Sequence, residues 1–216
     1  MKFEAVLFDL DGTLLDSIED LTDSMNIVLD GFGFPSHDAE ACKHFVGDGV
    51  EMFALRALPE NQRDKAMVAQ CAAEMRAEYR KRWSLKTRPY DGIPELLDDL
   101  TLRNLKLAVL SNKPEESTKE MVAELLSKWQ FYPVAGARAS VPKKPDPTLA
   151  IEISQQLHVP ADKFLYLGDT GTDMKTARGA GMFPVGALWG FRAAEELNDT
   201  GAKVLVAHPS EVLQFL

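Results

Sequence analysis

The chain reads as an α/β protein: a doubly wound parallel sheet with an all-helical segment inserted after its first strand. Three observations predict this. A short apolar run, Ala5-Val6-Leu7-Phe8, ends abruptly in Asp9-Leu10-Asp11-Gly12-Thr13. Residues 18–83 carry helical periodicity with no strand signal among them, and beyond Thr87 short apolar strands alternate with amphipathic helices. Alternation of that kind is the signature of a parallel sheet covered on both faces.

Taken in order, the apolar run is the first strand. Asp16-Ser17 can cap a helix whose apolar positions Ile18, Leu21, Met25 and Val28 or Leu29 follow helical spacing and which ends near Gly31-Phe32-Gly33. Short helices are expected over 39–45 and 50–58, then a long polar-rich one over 60–83 with Met67, Cys71, Met75 and Tyr79 at near-helical intervals. Met25, Met52, Met67 and Met75 fit packing among these helices better than a substrate groove. The turn-rich stretch Thr87-Arg88-Pro89-Tyr90-Asp91-Gly92 reads as the return from the insertion. Helices are then expected over 93–102, 115–128, 147–157 and 172–180, and strands over 105–110, 131–135, 164–167, 183–185 and 204–206. The implied division is a core of 1–15 with 87–216 and a helical segment of 16–86.

At 216 residues and 45% apolar, the chain is long enough for a large core with a smaller insertion. Its 24 basic and 33 acidic residues give a formal charge of −9, which offers no field to attract nucleic acid or an anionic membrane. A small anionic substrate stays compatible if local Lys, Arg or a metal supplies positive charge. The apolar stretch before Asp9 is too short for a signal peptide, and no window reaches the roughly 18 apolar residues of a membrane helix. With two distant cysteines, Cys42 and Cys71, a disulfide framework is not expected, and a soluble cytoplasmic setting fits. His37, His44, His158 and His208 show no metal-ligand spacing.

The residues that carry chemistry sit where strands end. On an extended chain Asp9 and Asp11 emerge on one side, so two carboxylates are expected to crowd one spot, which implies a metal, acid/base chemistry or both. Gly12 allows close backbone approach, and Thr13 adds a hydroxyl. The strand 105–110 runs into Ser111-Asn112-Lys113, which offers a hydroxyl and backbone donors for phosphate. The strand 164–167 runs into Gly168-Asp169-Thr170-Gly171-Thr172-Asp173, and Lys143-Lys144-Pro145 precedes a helix between them. Singly, Ser111-Asn112 and Asp169 also fit helix caps, and Lys144 a solvated surface lysine. Together at successive strand ends they assemble carboxylates, hydroxyl and lysine at one sheet edge.

In these motifs the chain resembles the haloacid dehalogenase superfamily of phosphatases with a helical cap on a Rossmann-like core, over essentially its whole length. Asp9-Leu10-Asp11-Gly12-Thr13 matches the nucleophile motif, Ser111 the phosphate-binding Ser/Thr, Lys144 the lysine, and Gly168-Asp169 through Asp173 the acidic metal motif. Leu14-Leu15-Asp16-Ser17 and Val46-Gly47-Asp48-Gly49, followed by Arg56-Ala57-Leu58, resemble the phosphoglycolate phosphatases within it.

The resemblance implies a Mg²⁺-dependent hydrolysis of a small phosphorylated metabolite, with 2-phosphoglycolate as the leading substrate, through an aspartyl-phosphate. Asp9 would attack and Asp11 would move the proton, while Lys144 and Ser111 hold phosphate beside Gly12, Thr13 and Asn112. Asp9, the Asp11 carbonyl and Asp169 would bind Mg²⁺, with Asp173 orienting that shell. The loop 44–49, with Lys43 and Arg56, is the candidate contact to the leaving group. A pyrophosphatase, a nucleotidase, a β-phosphoglucomutase-type mutase and a non-enzymatic phosphate-binding module are the alternatives, and the protein is expected to be a monomer or homodimer.

Overall fold

A computed structural model describes residues 2–216. The chain forms two compact units, one of residues 1–15 and 89–216 and the other Asp16–Arg88. In chain order, β1 (Ala5–Phe8) is followed by β2 (Leu15–Asp16) and by helices α1 (Ile18–Gly31), α2 (Ala39–Phe45), α3 (Val50–Ala57) and α4 (Lys65–Arg82). Then come β3 (Arg88–Pro89), α5 (Ile93–Leu102), β4 (Lys106–Pro114), α6 (Glu115–Leu125), β5 (Phe131–Ala137) and α7 (Thr148–Leu157). The chain ends with β6 (Phe164–Gly168), α8 (Gly171–Gly179), β7 (Phe183–Ala187), α9 (Ala194–Thr200), β8 (Val204–Val206) and a 3₁₀ segment, Pro209–Phe215.

In the first unit six strands form a parallel sheet in the order β5-β4-β1-β6-β7-β8. The chain builds outward from β1 on one side through β4 and β5, then on the other through β6, β7 and β8. Strand order therefore reverses at β1, and the carboxyl end of β1 is where such sheets bind ligands. Every residue of β1 is fully buried. Ala5 and Leu7 join Ala108, Leu110, Phe164 and Tyr166 in a core completed by Leu149, Ile153 and Leu157 of α7. Val6 and Phe8 are equally buried, so the strand has no solvent face, and its unbroken apolar run follows from that. Burying each such large side chain is worth about 2 kcal/mol, which makes the position of β1 costly to disturb.

Register fixes what lies beside the strand end. Phe8 is opposite Val109 of β4 and Leu167 of β6, and the Asp9 amide donates to the Leu167 carbonyl at 3.0 Å. Asp9 and Asp169 consequently follow β1 and β6 at one edge, with Ser111 of β4 in the neighbouring strand.

The second unit is helical. Leu21, Met25, Val28 and Leu29 of α1, Phe53 of α3, and Cys71, Ala72 and Met75 of α4 are buried. Met25 lies 4.0 Å, sulfur to sulfur, from Cys71, in keeping with packing as the use of Met25 and Met75, while Met52 and Met67 are only partly buried. Both cysteines are buried free thiols. The long helix begins at Lys65 rather than at residue 60. Glu60–Gln62 form a 3₁₀ turn after Pro59, and the Asp64 side chain accepts from the Ala66 and Met67 amides as the N-cap. Ser17 occupies the N-cap position of α1 but makes no side-chain capping bond. The loop 45–49 is braced from inside the unit: Arg56 donates to the Phe45 carbonyl at 3.0 Å and pairs with Asp48 at 2.5 Å.

Asp20, 1% exposed, ties the start of this unit to its end. One of its oxygens accepts from the Lys86 amide (2.9 Å), the Thr87 amide (2.8 Å) and the Thr87 hydroxyl (2.8 Å). Replacing it leaves buried donors without an acceptor. Asp20→Ala is expected to lower unfolding free energy in urea titrations by about 2–4 kcal/mol, and Asp20→Asn by less, because an acceptor oxygen remains. A loss for Asp20→Ala within the roughly 0.5 kcal/mol typical of surface changes would contradict the tie.

Candidate active site

After Phe8 the chain leaves the strand and folds back. The amides of Thr13, Leu14 and Leu15 all donate to the Leu10 carbonyl, and Gly12 takes a φ of +85°. This turn corrects the expectation that Asp9 and Asp11 crowd each other along an extended strand. The carboxylates that converge are Asp9, Asp169 and Asp173, with one oxygen from each lying within 4.8 Å of the others. Asp11 is aimed elsewhere, its carboxylate paired with the Lys113 ammonium at 2.9 Å.

Lys144 is no surface lysine. Its side chain is 2% exposed, and its ammonium lies 2.8 Å from Asp9 and 2.6 Å from Asp173, with a further bond to the Leu110 carbonyl at 3.0 Å. Asn112 sets its backbone in both directions, accepting from the Lys144 amide at 2.9 Å and donating to its carbonyl at 3.0 Å. Ser111 and Asn112 cap no helix. The strand expected to stop at Leu110 runs on to Pro114, because β5 continues alongside it to Ala137, and α6 starts after Pro114. The buried Ser111 hydroxyl accepts from the Lys113 amide at 3.2 Å.

Asp169 caps no helix either; the cap of α8 is Thr170. Its hydroxyl and amide form a capping box with Asp173, whose Oδ2 accepts from both at 2.7 and 3.0 Å. The other Asp173 oxygen takes Lys144 and, at 3.3 Å, the buried Tyr166 hydroxyl. Asp169 accepts from the Thr13 hydroxyl and from the Phe191 amide, each at 2.8 Å. Sequence reading did not single out the segment 189–191, which holds this carboxylate after β7. The Trp189 indole donates to the Thr13 carbonyl at 3.0 Å, and a Cβ on Gly190 would overlap Asp169 and the Gly12 carbonyl. The available signal was position: Trp189-Gly190 comes one residue after the end of a core strand. A Cβ on Gly12 would likewise overlap Asp169.

Electrostatics follow from the count of charges. Burial pushes the Asp9 carboxyl well above the usual carboxylate range, Asp173 and Asp169 add to this, and Lys144 only partly offsets it. Asp169 is pushed up to about 7, first by burial and then by Asp173, against the Phe191 amide and Thr13 hydroxyl. Burial alone would discharge Lys144, but Asp173 and Asp9 outweigh it and hold the ammonium protonated. Three buried carboxylates and one ammonium leave a shortfall of two positive charges. A divalent cation fits that shortfall, and an all-oxygen donor set suits a hard ion.

An acidic cluster with a buried lysine, set at the switch point of a parallel sheet, is a site suited to a hard cation and an anionic, oxygen-rich ligand. Comparison with known proteins agrees. Residues 6–187 match the haloacid dehalogenase-like hydrolases, and the chain belongs to that family. It is similar to the phosphoglycolate phosphatase of Aquifex aeolicus, 29% identical over 98% of this chain and 95% of the other. It is 30% identical to that of Pseudomonas syringae pv. tomato, over 93% and 75% respectively. Among solved structures, one from Lactobacillus delbrueckii subsp. bulgaricus, which carries a provisional phosphoglycolate phosphatase name, superposes with a TM-score of 0.92. It covers 100% of this chain and 98% of its own at 31% identity. The enzyme class is that of the phosphatases, the phosphoric monoester hydrolases. Among the described residues no helix is long and apolar enough to cross a membrane.

Without a cation, the folded protein holds protons that the unfolded chain, with ordinary aspartates near pKa 3.9, has already released. Stability of the metal-free protein should therefore fall as pH rises from about 4 through about 7. A divalent cation should raise the melting temperature more at about pH 8 than at about pH 6, since it binds the ionised carboxylates. A melting temperature insensitive to both pH and cation would contradict this. Gly190→Ala should lose most of the cation-dependent rise, because the added methyl displaces Asp169.

Proposed function

We propose that the protein is a Mg²⁺-dependent phosphatase that hydrolyses 2-phosphoglycolate, a small phosphorylated metabolite, through a phosphorylated Asp9. The observation that carries the reading is the Asp9 carboxylate at the buried end of β1, with Lys144 at 2.8 Å and two further carboxylates converging on it. The named phosphoglycolate phosphatases among its relatives support the choice of substrate.

Asp9 and Asp169 would hold the metal, with the Asp11 backbone oxygen as the family resemblance implies and Asp173 orienting them. When bound, Mg²⁺ supplies positive charge that offsets the repulsion between a phosphate dianion and a carboxylate. Asp9 attacks phosphorus and becomes the acyl phosphate. Lys144, held protonated by its two aspartates, and Ser111 grip the phosphate oxygens; Asn112 aims Lys144, and Gly12 and Thr13 close the loop beside them. Asp11, outside the acidic cluster and paired with Lys113, would take up a proton from solvent, give it to the departing alkoxide and then take one from the water that hydrolyses the acyl phosphate. The turn after Phe8 thus separates two aspartates that differ in task.

Asp9→Asn is expected to stay folded and to lose about a thousandfold or more in kcat. Asp11→Asn should lose about 10²–10⁴-fold on 2-phosphoglycolate and far less on a phenyl phosphate whose leaving group needs no proton. Equal losses on both esters would contradict the assigned role of Asp11. Initial rates of the wild-type enzyme on 2-phosphoglycolate, pyrophosphate, mononucleotides and sugar phosphates test the substrate. Preference for any of the others, or dependence on a bisphosphate activator, would overturn the phosphoglycolate reading.

A further inference from the structure

We propose that Tyr166 is a positioning residue, whose hydroxyl holds Asp173 when Lys144 turns to the phosphate. The inference rests on the reading of Lys144 as the group that grips phosphate oxygens. Tyr166 lies in β6, fully buried in a core with Leu7, Leu110, Phe164 and Ile153. Phe164, two residues earlier in the same strand, fills that core without a polar atom. A buried phenol needs a hydrogen-bond partner, and here the partner belongs to the site. The hydroxyl donates to Asp173 Oδ1 at 3.3 Å and also faces the Lys144 ammonium. Burial above all, with Asp173 and Asp9 adding to it against Lys144, holds the phenol above its usual range, so the hydroxyl keeps its proton.

The count of donors gives this bond its task. An ammonium carries three protons, and those of Lys144 meet Asp9 at 2.8 Å, Asp173 at 2.6 Å and the Leu110 carbonyl at 3.0 Å. To grip a phosphate oxygen, Lys144 must loosen one of the three. It stays beside Asp9, whose oxygen bonds to phosphorus, and of the other two Asp173 Oδ1 has a second donor in place. Asp173 Oδ2 is held independently by the Thr170 hydroxyl and amide, at 2.7 and 3.0 Å. Without Tyr166, a withdrawing ammonium would strand Oδ1 as a buried anionic acceptor. At 3.3 Å the phenol bond is longer than the roughly 2.5–3.0 Å usual for O–H···O, so it has room to shorten as Lys144 moves away.

The test is Tyr166→Phe, which removes the hydroxyl and keeps the ring; Tyr166→Met serves as the second variant if it does not fold. With Mg²⁺ saturating, KM for 2-phosphoglycolate and the competitive inhibition constant of inorganic phosphate should both rise at least about fivefold, with kcat within about threefold. The loss falls on KM because Asp173 is stranded equally in the substrate complex and the transition state. The rise in melting temperature caused by Mg²⁺ without phosphate should match that of the wild type, since Lys144 then still satisfies Asp173. A smaller rise in either constant, even with a lowered melting temperature, overturns the proposal, because the residue then serves packing alone. A loss carried by kcat, or a diminished Mg²⁺ effect, overturns it as well. Phosphate inhibition left unchanged by Lys144→Gln or Lys144→Met overturns the reading of Lys144 itself, whatever the Tyr166 variants show.

Discussion

The Lys144 ammonium sits between Asp9 and Asp173, at 2.8 and 2.6 Å, with almost none of its side chain in contact with solvent. Much of the surrounding structure keeps it there. The Leu110 carbonyl takes its remaining proton, and the Asn112 side chain holds its backbone from both sides. The capping box at the start of α8 turns Asp173 towards it. A buried ammonium between two carboxylates is costly to assemble and more costly to break, because removing one partner strands a charge. Its presence in the first unit makes sense as preorganisation: a cation fixed beside Asp9 before substrate arrives.

The same count of charges separates the two aspartates of the opening motif. Asp9 lies inside a cluster where carboxylates outnumber the ammonium, so its ionisation depends on added positive charge. Asp11 lies outside that cluster with a lysine of its own. The division comes from one local event, the fold-back of residues 10–15 onto the Leu10 carbonyl, which Gly12 permits through its positive φ. Gly190 packs against the same turn, where any side chain would strike Asp169 and the Gly12 carbonyl.

The alternating strands and helices were legible because both faces of the sheet are covered, which leaves apolar runs too regular to miss. The ends of β1 and β6 were legible for the same reason, and with them Asp9 and Asp169. What escaped was set by tertiary contact. Ser111 to Lys113 look like a loop by composition, yet they lie within β4, in an irregular stretch between the Leu110–Ala135 and Pro114–Ala137 pairs with β5. Helix α9 buries only Leu197, so it carried no periodic stripe to read. Trp189 and Phe191 act through an indole N–H and a backbone amide, and neither bond has a sequence signature. The pairing of Lys113 with Asp11 joins residues 102 positions apart, and only the sheet order brings them together.

The central claim is that Asp9, and no neighbouring acid, carries the phosphoryl group. Rapid acid quench during turnover of 2-phosphoglycolate with Mg²⁺, followed by borohydride reduction and peptide mass spectrometry, tests this directly, because reduction of an aspartyl-phosphate leaves homoserine. The account predicts homoserine at position 9, dependent on substrate. Homoserine at position 11, 169 or 173, or phosphate release with none formed at any of these positions, would contradict it.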